Sequence, residues 1–231
     1  MTPTSNPAPP ANHLLLDLSD SDRELLLANA EFRVLPVGHT FARAGDAISS
    51  AFFPVTGVIS LVSEMTTGHQ LAVSAIGPEG VIGLGPLFGI RRYLHRTVVL
   101  LESRGYRVPA DRLSHEFEHS EVFRRVTLTY VGRMISALIT SAACSRAHSH
   151  RQRLARWLLI IADKSGERSL PMTHETVAQM VGGPRHAVTV ALNELRAKGA
   201  IAHLRGRIDI VNRSVLIAQA CECYAVSVRQ R

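Results

Sequence analysis

Residues 171–213, PMTHETVAQMVGGPRHAVTVALNELRAKGAIAHLRGRIDIVNR, leave the chain few ways to fold. Two short helical patterns are separated by Gly182-Gly183-Pro184. Thr173 can N-cap the first helix, whose apolar side is Val177, Ala178, Met180 and Val181. The two glycines end it and make a sharp turn, and Pro184 suits the first turn of the next helix, where its missing N–H costs nothing. Over 184–198, Val188, Leu192 and Leu195 recur at i, i+4 and i+7 toward a core. Arg185, His186, Thr189, Asn193 and Arg196 are left on the opposite side. Lys198 puts positive charge at the helix's negative pole and Gly199 serves as a C-cap. Two strands at 200–204 and 207–211, joined by Arg205-Gly206-Arg207, then form a small wing with a basic tip.

Charge supports this division. Residues 1–147 carry 13 basic and 13 acidic side chains, whereas 148–231 carry 13 against 6, which is the whole net charge of +7. A basic module joined to a neutral partner is the pattern expected of a polyanion binder. In the second helix Arg185 can read a guanine edge and Asn193 an adenine, with His186, Thr189 and Val190 also toward the bases. Thr173, Arg196, Arg205 and Arg207 are placed to meet phosphates, which position the protein without reading sequence. The basic wing argues for double-stranded DNA over a merely solvated helix pair.

The rest of the chain has a different texture. Residues 1–13, rich in Pro, Ser and Asn, read as a disordered arm with no secretory pattern, and no uninterrupted apolar run reaches the ~18 residues of a membrane span. Ser19 or Asp20 can cap a short helix bearing Leu25, Leu26 and Ala30. From Arg33 to about Val108, short apolar runs broken by glycines predict an antiparallel β domain, with strands at 52–55, 57–62 and 71–76 and a turn at Thr67-Gly68. After Pro109, Val122, Val126, Tyr130, Met134, Ala137 and Ser141 mark a helix of six or more turns. Pairing with a second copy and packing as a core helix of the β domain are both open; its length favours the dimer. A further helix over 150–162 turns Leu154, Trp157, Leu158 and Ile161 inward and Arg151, Arg153 and Arg156 mostly outward.

These residues resemble the Crp/Fnr family of transcription regulators, the family of the catabolite activator protein, over Leu14 to Val215. The resemblance rests on Gly38, Gly45-Asp46, Phe52-Phe53, Gly57, Gly68, Gly83 and Arg96-Thr97 in front, and on 173–182 and Gly206-Arg-Ile-Asp-Ile behind. It implies an α+β chain: a cyclic-nucleotide-binding-type β-roll over 14–118, a dimerisation helix over 119–147 and a winged helix-turn-helix over 148–231. It also implies a cytoplasmic, bacterial homodimer on a near-palindromic site, with RNA polymerase as a further partner. His186 stands where the family often has Glu, and Val190 where it has a second Arg. An imidazole cannot accept from a cytosine amino group as a carboxylate does, so an unusual half-site is expected. In the effector region Gly83 and Leu84 replace the Gly-Glu that holds ribose in members binding cyclic AMP. Arg96 and Thr97 remain, either to hold another small anionic effector or simply as an ion-paired surface. Cyclic AMP is therefore disfavoured.

The three cysteines are too few and too late in the chain for a disulfide framework or the family's N-terminal iron–sulfur cluster. Cys144 reads as a packing residue, and Cys221-Glu-Cys223 offers too few ligands for zinc unless a histidine joins it. His148 and His150 read as exposed linker residues. No metal, cofactor or catalytic activity is expected. The rivals are a ligand-binding module working through protein contacts and, more remotely, a thiol hydrolase built on the i, i+4 pair Cys144 and His148.

Overall fold

The computed structural model describes residues 12–229. Of the expected arm, residues 1–11 lie outside the described residues, but Asn12 and His13 belong to the fold. Asn12 is fully buried, caps α1 (His13–Leu16) and donates from Nδ2 to Pro54 O (2.8 Å) and Gly80 O (2.9 Å). A buried amide with its donors satisfied fixes the chain at this point, which the polar composition of the segment concealed. Ser19 caps α2 (Asp20–Leu27), whose Leu26 enters the core while Leu25 is exposed.

β1 (Glu31–Leu35), β2 (Thr40–Ala42), β3 (Ser50–Glu64), β4 (Gln70–Ile76) and β5 (Arg96–Pro109) form one antiparallel sheet. Its order is β1-β5-β3-β4, with β2 also paired to β5. The strands expected at 52–55 and 57–62 are one continuous strand. Gly57 does not turn the chain; it sits at +79° in φ, where a Cβ would lie 2.1 Å from Glu102 O, and the β3–β5 register shifts on both sides of it. The glycine therefore marks bulges that bend a long strand. Between β3 and β4 the Thr67-Gly68 turn forms as expected, with Gly68 N–H donating to Met65 O at 2.8 Å.

α3 (Ala110–His119) closes the roll, and Ser120 then caps α4 (Glu121–Ala147). Phe123, Thr127 and Tyr130 of α4 are buried, whereas Leu128, Ile135 and Ile139 face outward and are exposed. By length and composition alone α4 is apolar enough to cross a membrane. Counting uninterrupted apolar runs misses this, because small and hydroxyl residues separate its aliphatic side chains more often than charges do. α5 (His150–Ser165) starts with a capping box between Ser149 and Gln152. It buries Leu154, Trp157, Leu158 and Ile161 as their spacing predicts. Arg156, expected on the outer side, is only 4% exposed, with its guanidinium carbon 5.8 Å from the centre of the Trp157 ring. The reason is that α5 is central: it packs on α6, α7 and α8 and also on β3, β4 and α9.

The C-terminal third contains β6 (Ser169–Leu170), α6 (His174–Val181), α7 (Arg185–Ala197), β7 (Ile201–Leu204), β8 (Arg207–Ile210), α8 (Arg213–Gln219) and α9 (Cys223–Arg229). β6, β8 and β7 make an antiparallel sheet in that order. Its core is continuous with that of the roll: Val58, Ala72 and Leu101 belong to the same buried cluster as Leu158, Met180 and Leu192. Across this join Gln179 Nε2 donates to Gln70 Oε1 at 2.7 Å, and Lys164 pairs with Glu79.

Candidate nucleic-acid interface

The helix pair forms for local reasons. Thr173 Oγ1 accepts from Thr176 N at 3.1 Å, capping α6, whose Val177, Met180 and Val181 are buried. Gly182 ends the helix at φ +61°. At Gly183 a Cβ would come within 2.4 Å of His150 Nε2, so the turn can press against α5 only with glycine there. Pro184 is the N-cap of α7 rather than part of its first turn, and no side chain caps the helix. With no capping side chain, the positive end of the helix stays open to an anion.

α7 has two unlike faces. Val188, Ala191, Leu192 and Leu195 are buried, none more than 2% exposed. Arg185, His186, Thr189, Val190, Asn193 and Arg196 are all exposed. At 13 residues the helix is about 20 Å long, enough to lie along a major groove about 12 Å wide. Thr189 Oγ1 donates to Arg185 O at 3.1 Å, which occupies its hydrogen but leaves the oxygen as an acceptor.

The wing turns through Arg205-Gly206, and the register pairs Leu204 with Arg207. Arg205 and Arg207 are both exposed, and Arg207 Nη2 lies 3.1 Å from Asp209 Oδ2. So exposed an ion pair is weak and can exchange for a phosphate. At the root of the wing His203 rests against His174, ring centres 4.7 Å apart. Burial holds the His203 imidazole below its ordinary value, with His174 and Arg196 adding to the effect. Burial lowers His150 in the same way, helped by Arg153.

The expected effector residues are placed differently. Arg96 Nε lies 2.8 Å from Glu64 Oε1, and its Nη2 donates to Gln70 Oε1 at 2.9 Å. Thr97 and Leu84 are buried, and Gly83 passes close to the backbone of Ser50. None of the four lines the cavity of about 250 Å³ in the roll, which is walled by Arg33, His39, Asp46, Tyr93 and Arg107 among others.

One histidine departs from expectation, and two cysteines meet beside it. His148 is not an exposed linker side chain: its Nε2 lies 3.0 Å from Glu222 Oε1 and its Nδ1 3.8 Å from Cys223 Sγ. Cys144 and Cys221, both buried, bring their sulfurs to 3.5 Å. That contact pushes the Cys144 thiol up and holds Cys221 down. Spacing of Cys144 and His148 and the Cys-x-Cys pair were visible separately; only the tertiary fold joins them.

Residues 152–218 match the Crp-like helix-turn-helix domain. The chain is 26% identical over 197 residues to a global nitrogen regulator of Synechococcus elongatus, covering 79% of this chain and 86% of that protein. It is 25% identical over 191 residues to the transcriptional regulator SdrP of Thermus thermophilus, covering 74% and 88%. In fold it is similar to a transcriptional regulator of the Crp/Fnr family from Eubacterium rectale, with TM-score 0.71, 18% identity and coverage of 89% and 96%. Residues 152–218 therefore carry a Crp-like helix-turn-helix domain, and with a β-roll and a long connecting helix in front of it the chain has the fold of the Crp/Fnr-type regulator from Eubacterium rectale.

Proposed function

We propose that the protein is a homodimeric regulator that places α7 in the major groove of a near-palindromic DNA site. The observation that carries this reading is the division of α7 between a core-locked face and an outer face of exposed donors. Arg185, His186, Thr189, Val190 and Asn193 face the bases, with Arg185 reading guanine and Val190 touching a thymine methyl. Arg196, Arg205 and Arg207 meet the backbone, with Thr173 beside them. The second copy covers the exposed Leu128, Ile135 and Ile139 of α4, which share a stripe seven and then four residues apart. Paired α4 helices then set the spacing of two α7 helices along the duplex. Cyclic AMP is not the effector: Leu84 supplies no carboxylate, and Arg96 is engaged by Glu64 and Gln70.

The test is selection of bound duplexes from a random DNA library with purified protein and no added effector. Enrichment of a two-fold symmetric site is expected, with half-sites unlike those read by an Arg-Glu pair. Enrichment of a single asymmetric site would overturn the dimer. Affinity that ignores salt would overturn DNA binding through the basic third, because phosphate contacts release counterions.

A further inference from the structure

Two segments remote in sequence converge at the end of α4. Cys144 lies in the last turn of α4, His148 is the residue that ends that helix, and Cys221 and Cys223 flank the start of α9. One ligand atom from each of the four residues falls within 4.8 Å of all the others. The closest pairs are Cys144 Sγ to Cys221 Sγ at 3.5 Å and Cys223 Sγ to His148 Nδ1 at 3.8 Å. A tetrahedral zinc ion, with bonds of about 2.3 Å to sulfur and 2.0–2.1 Å to nitrogen, holds its ligands about 3.5–3.8 Å apart.

We propose that Cys144, His148, Cys221 and Cys223 bind one zinc(II) ion per protomer in a closed, tetrahedral Cys3His site.

Two features outside the four ligands fit this ion. His148 offers Nδ1 to the cluster while its Nε2 faces Glu222 Oε1 at 3.0 Å. A carboxylate behind a ligating imidazole fixes the tautomer and strengthens the donor, the usual outer support of a zinc-bound histidine. The second feature is charge. Three thiolates, a neutral imidazole and Zn(II) leave one net negative charge, and the buried Arg156 lines the same cavity as Cys144. Arg156 Nε is buried with no hydrogen-bond partner among the described residues, and a buried cation of this kind favours net negative charge nearby. On binding, each coordinating thiol gives up its proton to solvent. The sulfurs are buried and all four positions come from protein, so the ion is structural. It ties the end of α4 to the C-terminal helix, which packs on both α4 and α5.

The experiment uses the full chain, purified with reductant and without oxygen, and needs no DNA, so its failure is independent of the function proposed above. Elemental analysis is expected to find one zinc per protomer. Protein stripped by chelator and titrated with Co(II) is expected to develop thiolate charge-transfer absorption and intense tetrahedral bands, saturating at one equivalent and bleached by zinc. Cys223→Ser should abolish stoichiometric binding. Glu222→Gln, an exposed change that leaves folding undisturbed, should weaken cobalt affinity about 10–100-fold. Weak octahedral spectra, substoichiometric metal, or equal affinity in wild type and both variants overturns the proposal. So does a Cys144–Cys221 disulfide, or a cluster with acid-labile sulfide, as the state isolated from cells.

Discussion

Two arginine-bearing regions stood out in the sequence, and the fold treats them oppositely. On α7 and the wing, Arg185, Arg196 and Arg205 project from a rigid base into solvent. In the roll, Arg96 is folded back onto Glu64 and Gln70. The first set is offered and the second is held. What separates them is the neighbourhood: the C-terminal third has about half as many acidic as basic residues, too few to pair every cation. A motif identifies an arginine, but only charge balance around it says whether it is available to a ligand.

That contrast can be broken or sharpened. The largest effect is expected from Arg185→Ala, which should cost about 1–3 kcal/mol of discrimination at one base position while leaving the dimer intact. Repeating the library selection checks this, and unchanged selectivity would remove Arg185 from the readout. Next comes Arg207→Ala, expected to weaken all sequences alike and to reduce the slope of log affinity against log salt by about 0.9. A loss confined to one base pair would contradict its backbone role. Arg96→Gln should change stability by about 1 kcal/mol, since the Arg96–Glu64 pair is only partly shielded from water. It should also leave effector-free DNA affinity unchanged; a loss of affinity would show that Arg96 is not simply held. The smallest effect concerns pH. His150 and His203 have folded values depressed below the ordinary 6.5. As pH falls through that value the unfolded chain takes up protons that the fold refuses, so stability is full above it and declines below. The melting temperature should therefore be lower at about pH 5.5 than at about pH 7.5, and less so in His203→Gln. A flat profile in wild type would show these imidazoles to be freely solvated.

Legibility followed the range of the signal. The helix-turn-helix was readable because caps, glycines and the Val188-Leu192-Leu195 spacing are all local. β6 escaped because two residues have no period, and β3 was divided in two because Gly57 looks like a turn when only its neighbours in sequence are considered. Arg156 looked external because a three-arginine pattern suggests a solvated face, while α5 is enclosed on opposite sides. The cysteine–histidine cluster spans 77 residues between Cys144 and Cys221 and has no sequence signature at that distance.

The join between Gln70 and Gln179 has a consequence for how the molecule can be divided. β4 packs on α6, and the Leu71 side chain lies against the Gly182 turn that separates α6 from α7. The floor beneath α6 and α7 is therefore partly made of the roll's sheet. A fragment beginning near His148 would carry every residue proposed to face DNA yet leave the apolar undersides of α5 and α6 wet. Such a fragment should aggregate or melt early: the reader is not an autonomous folding unit, and its stability is borrowed from the roll.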